Sequence, residues 1–133
     1  RRIAVIRTAT LHQVAVVVSD LERAKDFYGR ILGLEEIPRP AFSFAGAWYR
    51  LGDGQLHLIV HPGAKAVRGT TQIDGMDAHF ALRVDSYEAT MAHLEREGVK
   101  AVGNPHSITG WAQIFCCDPD GNVIELNAEV KPG

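Results

Sequence analysis

The sequence predicts an α+β domain made by duplicating a half-domain in which a strand, a helix and further strands follow one another. Three observations carry this. His12 and His57 stand 45 residues apart and His79 and Glu125 stand 46 apart, each on an apolar strand-like run. The helix-opening pattern Ser19-Asp20-Leu21-Glu22 returns as Asp85-Ser86-Tyr87-Glu88. Both halves then close alike, on Gly54-Gln55-Leu56-His57-Leu58 and on Gly121-Asn122-Val123-Ile124-Glu125-Leu126. A period above about 60 residues is too long for the common solenoid repeats, so the pattern is one duplication rather than an array. All 133 residues fit a single domain of ordinary size. Its modules are expected over 11–62 and 77–130, joined by a polar, glycine-rich linker over 61–77.

The elements follow in order. A first strand begins at His12. Ser19-Asp20-Leu21-Glu22 has the spacing of a capping box, and Leu21, Ala24, Phe27, Tyr28 and Ile31 recur at helical intervals until Gly33 stops the helix. Strands are expected over 47–51 and 55–60. The second module opens on a strand over 78–84, then a helix whose stripe is Tyr87, Met91 and Leu94, ending near Gly98. Strands over 101–102, 113–117 and 123–126 complete it, the last two joined by the turn Asp118-Pro119-Asp120-Gly121. In the linker, Lys65, Arg68 and the Thr70-Thr71 pair are expected in solvent.

Side chains on a strand alternate between faces. If each module turns the same face inward, His12, Val14 and Val16 share it with His79, Ala81 and Arg83, and with Val123, Glu125 and Asn127. Leu56, Leu58, Phe80, Leu82, Ile124 and Leu126 would then pack beneath the helices. Phe42 and Phe44 are expected in the core, whereas Trp111, Gln113 and Phe115 share the inward face. Arg83 and Arg50 are surface residues with the reach to meet an anionic substrate. The adjacent Cys116 and Cys117 point to opposite faces and read as small buried hydrophobes.

Composition excludes several classes. A net charge of −2 gives no reason to expect nucleic acid or an anionic membrane as partner. No apolar run approaches the roughly 20 residues of a membrane span, and Ile3-Ala4-Val5-Ile6 is too short for the core of a signal peptide. A small-molecule substrate and a cytoplasmic setting are the expectation. Three histidines with one carboxylate suit Zn²⁺, Ni²⁺, Co²⁺, Fe²⁺ or Mn²⁺ and argue against a purely hard site for Ca²⁺.

The runs Leu11-His12 to Asp20-Leu21, Phe27-Tyr28 with Ile31-Leu32-Gly33-Leu34, Leu56-His57-Leu58, His79 to Val84, and Asp118-Pro119-Asp120-Gly121-Asn122-Val123-Ile124-Glu125-Leu126 resemble the vicinal oxygen chelate superfamily. That group includes glyoxalase I, fosfomycin-resistance thiol transferases, methylmalonyl-CoA epimerase, extradiol dioxygenases and bleomycin-binding proteins. The resemblance implies two βαβββ modules whose curved mixed sheets enclose one divalent metal ion, often completed by a homodimer. It places the family's ligand positions on His12, His57, His79 and Glu125, with His57 standing where glyoxalase I-like proteins carry Glu. Glu125 is then also the base that moves a proton.

The activity the resemblance favours is a glyoxalase I-like isomerase or lyase that stabilises an oxyanion or enediolate, with glutathione or another thiol as co-substrate where the reaction needs one. An extradiol-type dioxygenase is an alternative. Asn104-Pro105-His106 through Glu125 resembles its signature, with Phe115 in place of the expected Tyr and His106 as a candidate acid or base. A fosfomycin-type thiol transferase is another, although Val14 stands where a polar residue is expected. A ligand-sequestering protein of the bleomycin-resistance kind is the reading without chemistry. Under each, Trp111, Gln113, Phe115, Arg83 and His106 are the candidate substrate contacts.

Overall fold

The computed structural model describes residues 5–61, 63 and 68–130, so Ile3, Ala4 and Lys65 lie outside the described residues. The first module runs β1 (Gln13–Val18), α1 (Leu21–Lys25), a π-helical continuation (Asp26–Ile31), β2 (Glu36–Ile37), β3 (Gly46–Leu51) and β4 (Gly54–Val60). The second runs β5 (His79–Arg83), α2 (Tyr87–Arg96), β6 (Ala101–Asn104), β7 (Trp111–Cys117) and β8 (Val123–Glu129). Each module builds a four-stranded mixed sheet of the same topology, β1-β4-β3-β2 and β5-β8-β7-β6. In each, the first strand pairs parallel to the last and the other neighbours are antiparallel. The predicted pair of βαβββ modules is therefore the observed architecture. β2, two residues long, carries no pattern that would announce it.

Both helices are capped, one residue later than the capping-box reading has it. The N-cap of α1 is Asp20, whose carboxylate accepts from the Arg23 N–H, and that of α2 is Ser86, whose hydroxyl accepts from the Ala89 N–H. Ser19 turns away from its helix and donates to Asp120 instead. The first helix also changes pitch. Leu32 N–H bonds to the Phe27 carbonyl, five residues back, before Gly33 exits with φ at +74°.

The caps give the true alignment of the duplication. Asp20 and Ser86 are 66 residues apart, and the residue 66 before His79 is Gln13, which like His79 is the first residue of its strand. Strand register agrees: Ala15 pairs with His57 as Ala81, again 66 later, pairs with Glu125. Gln13, not His12, is the first-module counterpart of His79.

The same register corrects the expected face of β1. Val14 pairs with Leu56 and Val16 with Leu58, and all four belong to the core. Residues that are partners across a ladder share a face, so the open face of this sheet carries Gln13, Ala15 and Val17 with Gln55 and His57. In the second module the expected faces are found. Phe80, Leu82, Ile124 and Leu126 pack inward, while His79, Glu125 and Asn127 lie on the other side.

One core joins the two sheets. Tyr49, Leu56 and Leu58 from the first meet Ile114, Cys116, Ile124 and Leu126 from the second, with Ala24, Phe27, Tyr28 and Leu94 of the helices between them. Burial pushes the Cys116 thiol up to about 12, so it packs as an inert apolar group. Polar keys hold the modules in register. The Tyr28 hydroxyl donates to Asp118, Asn122 Nδ2 to the Val17 carbonyl, and Arg30 to Glu97. Among the described residues no helix is long and apolar enough to cross a membrane.

Candidate metal and substrate site

Because both sheets give one face to the shared core, the faces carrying the candidate ligands turn away from it, and they form two half-sites. In the second module, strand alternation sets His79 on β5 and Glu125 on β8 of the same open face. His79 Nε2 and Glu125 Oε1 lie 3.4 Å apart, and every other polar atom of the pair is engaged. His79 Nδ1 bonds to the Asp77 carbonyl at 2.7 Å, and since a carbonyl only accepts, Nδ1 is the donor and Nε2 is the nitrogen turned toward Glu125. Asn127 Nδ2 donates to Glu125 Oε2 at 2.7 Å, leaving Oε1 to face His79. Outer partners of this kind orient ligand groups. Phe115 stands edge-on to His79 with ring centres 5.5 Å apart.

In the first module, His57 on β4 is only 6% exposed although it is on the open face. The cause is Trp48, its neighbour across the β3–β4 ladder, whose ring lies parallel at 4.0 Å between centres. His57 Nε2 is 2.7 Å from Gln55 Oε1, and His12 Nδ1 is 2.9 Å from Gln13 Oε1. Burial lowers the His57 pKa from its ordinary value, and the nearby positive potentials of His12 and Arg39 act in the same direction. A neutral imidazole results, the form that binds metals.

The sequence-predicted residues are thus brought together in two groups. His79 joins Glu125, with Phe115 against it; His57 lies with His12, which is exposed and precedes β1. Arg83 stands over the Trp111 ring at 5.5 Å and Gln113 pairs with Asn127, so these three extend the second half-site. His106 is exposed in the β6–β7 connection and contacts none of them. Among the described residues no three His, Cys, Asp or Glu converge to hold an ion. Between the edge strands β1 and β5 runs a groove of about 1590 Å³ that His12, Gln13 and His79 line, but neither His57 nor Glu125 does.

Four residues were missed by sequence reasoning. Gln13 stands seven residues before the Asp20 cap as His79 stands seven before Ser86, a match that emerges only once the structure has fixed the caps. Gln55 stands two residues from His57 on the same strand face, which alternation alone could have flagged, and Asn127, which alternation did place beside Glu125, was given no role. Arg39 gave no signal.

Two expectations are corrected. Arg68 is not solvated: its side chain is 8% exposed and donates to Asp77 at 2.7 Å, the Gly121 carbonyl at 2.8 Å and the Gln72 carbonyl at 2.5 Å. It holds the Asp77 carboxyl below the usual carboxylate range, helped by the Ala78 N–H. The linker is thereby fastened to the β7–β8 turn, and with it the carbonyl that fixes His79. Arg68→Gln is expected to speed amide hydrogen exchange over residues 68–78 by about tenfold while the strands keep their protection; unchanged exchange there would show the clasp to be idle. Phe42 and Phe44 are not core residues either, being 45% and 40% exposed and stacked on one another at 5.1 Å. They sit in the irregular stretch between β2 and β3, where no ladder draws them inward.

Comparison with known proteins agrees with this architecture. The profile of the Glyoxalase/Bleomycin resistance protein/Dioxygenase superfamily matches residues 10–126. Glyoxylase I 4 of Arabidopsis thaliana is 30% identical over 125 residues, covering 91% of this chain and 71% of that protein. The mitochondrial methylmalonyl-CoA epimerase of Mus musculus is 29% identical over 126 residues, 87% of this chain and 71% of its own. Among solved structures, a glyoxalase family protein from Bacillus anthracis superposes with a TM-score of 0.77 at 23% identity, over 93% of this chain and 98% of that one. Two βαβββ modules, matched open faces and this profile lead to one assignment: the chain belongs to the Glyoxalase/Bleomycin resistance protein/Dioxygenase superfamily.

Proposed function

We propose that this chain is a divalent-metal-dependent enzyme of the glyoxalase I type, acting by proton transfer next to an oxygen of a small substrate, and that its metal centre forms between two copies. The observation that carries the reading is the second half-site. His79 Nε2 and Glu125 Oε1 lie 3.4 Å apart, and the other polar atom of each side chain is already fixed by a hydrogen bond. Two such donors are too few for a Zn²⁺-like ion, which takes four or more ligands. His57 and Gln13 on the other open face supply the complement. Since one chain turns these faces away from its shared core, a homodimer in which the first module of each copy meets the second module of the other would give each centre His57, Gln13, His79 and Glu125. Gln13 takes the place expected of His12, which would remain a neighbouring histidine.

When bound, the ion would supply Lewis-acid stabilisation of the oxyanion or enediolate charge that develops on the substrate. The chain's own residues do the rest. Glu125 Oε1 accepts the proton from carbon, and because His57 replaces a second carboxylate, the same oxygen must also return it. Asn127 holds the carboxylate in place through Oε2. Phe115 packs edge to face with His79 and Trp111 lies under Arg83, and Arg83 offers a cation to an anionic substrate. The extradiol alternative is less well supported, because Phe115 presents a ring edge and no hydroxyl to the site.

Metal analysis tests the reading directly. Protein purified under metal-replete conditions is expected to hold about one Zn²⁺, Ni²⁺, Co²⁺, Fe²⁺ or Mn²⁺ per chain and to sediment as a dimer. His79→Ala is expected to bind it at least about tenfold more weakly. A wild type that stays free of divalent metal, or that binds it fully as a monomer, would refute the shared centre.

A further inference from the structure

The metal reading leaves unused a cluster beside His57. Arg39, half-buried between β2 and β3, lies over two aromatic rings, 4.9 Å from the centre of Phe42 and 5.1 Å from that of Phe44. Phe42 in turn stands 6.1 Å from Trp48, which covers His57. We propose that this cluster is the anion subsite of the substrate pocket and that the substrate is a flat organic acid, its carboxylate held by Arg39 and its planar body laid on Phe42, Phe44 and Trp48.

Four features support it. The cation is uncompensated: among the described residues no carboxylate lies within ion-pair distance of Arg39, a state it shares with Arg7, Arg83 and Arg96, whereas Arg23, Arg30, Arg50 and Arg68 each have an acid partner. Its fork is largely unspent, since Nη2 donates to the Phe44 carbonyl at 2.8 Å while Nε and Nη1 have no partner among the described residues. Nη2 keeps a second hydrogen, which together with the free N–H beside it still offers a carboxylate two parallel donors. Its seat lies beside Gly46, where a Cβ would clash first with the Leu58 carbonyl and would also come 3.1 Å from Nε and Nη2, so the bare backbone that the strand requires also leaves room for the guanidinium. Finally, the rings beside it are exposed rather than buried, a flat apolar surface next to an open charge.

The location of this subsite rests on the metal-centred reading, but its chemistry does not, and the test separates them. The probes are 2-naphthoate and its neutral isostere 2-naphthamide, neither of which presents two neighbouring oxygens positioned like a vicinal chelate across adjacent carbons. Both are titrated into metal-free and metal-replete protein in a Trp111→Phe background, where Trp48 is the remaining tryptophan and reports binding by fluorescence. Naphthoate is expected to bind at least about fivefold more tightly than the amide. Arg39→Gln removes that preference with metal content unchanged, and Phe42→Ala weakens both probes alike; Arg39→Lys, which keeps the charge without the fork, retains part of the preference. Equal affinities for the two probes, no binding of either, or a preference that survives Arg39→Gln would overturn the proposal. If the preference holds in a protein that takes up no metal, the anion subsite stands and the metal reading falls.

Discussion

Asp118→Ala is expected to lower the unfolding free energy by about 3–5 kcal/mol, measured by urea denaturation at neutral pH. The side chain is 3% exposed and its carboxylate accepts four hydrogen bonds: from the Tyr28 hydroxyl at 2.6 Å, the N–H groups of Asp120 and Asn122 at 2.9 Å each, and Asn122 Nδ2 at 2.7 Å. Alanine leaves those donors without their acceptor, and a donor orphaned in the interior costs about 1–3 kcal/mol. The loss is also structural in reach. Tyr28 belongs to the first module and Asp118 to the second, and burial together with the neighbouring negative charge pushes the phenol well above its ordinary value of 10, so the hydroxyl stays a donor. Asn122, oriented by Asp118, continues the link to the Val17 carbonyl of β1. Tyr28→Phe removes one of the four donors and leaves the turn intact, so it is expected to cost about 1–2 kcal/mol. A loss below about 1 kcal/mol for Asp118→Ala would mean that core packing alone joins the modules.

The buried and open faces of the second module were legible in the sequence, and the reason is physical. His79-Phe80-Ala81-Leu82-Arg83 alternates polar or small with large apolar, so it announces which face is buried, and Glu125 follows from the same alternation on β8. In the first module, Val14-Ala15-Val16-Val17-Val18 is apolar on both faces, and a strand of that kind does not reveal its orientation. Two neighbouring ambiguities then reinforced each other. His12 and Gln13 are both ligand-type residues, and Ser19 and Asp20 are both good caps, so shifting strand and cap together by one residue leaves a self-consistent pattern. Only the ladder, pairing Ala15 with His57, resolves it.

What remained hidden depends on contacts between distant segments. Arg68 is buried by carbonyls 4 and 53 residues away in the chain, a clasp that no local pattern encodes. Arg39, Phe42 and Phe44 lie in a stretch without periodicity, where side-chain direction is set by the backbone path alone. The separation of the two half-sites belongs to this class as well. Spacing shows that four ligand-type residues belong to two equivalent units, but whether the units face each other within one chain depends on how the helices share a core.

Glu125→Gln should separate the two roles proposed for Glu125. Loss of the carboxylate is expected to lower hemithioacetal isomerisation, assayed with Ni²⁺ or Zn²⁺, by about 10²–10⁴-fold, the usual contribution of a positioned general base. Metal affinity should fall much less, by about tenfold at most. An amide oxygen can still face His79 from the Oε1 position, provided that the amide nitrogen takes the place of Oε2, now against the Asn127 donor at 2.7 Å. Asn127 can meet it by turning its own amide so that Oδ1 accepts, which exchanges one hydrogen bond for another. His79 keeps its bond to the Asp77 carbonyl throughout, so Nε2 stays aimed at the same point. His79→Ala, by contrast, removes a donor whose position nothing else can fill, and metal and activity should decline together. If Glu125→Gln instead loses metal and turnover in equal proportion, Glu125 is a ligand without a proton to carry, and the base must be sought on the substrate or on another copy of the chain.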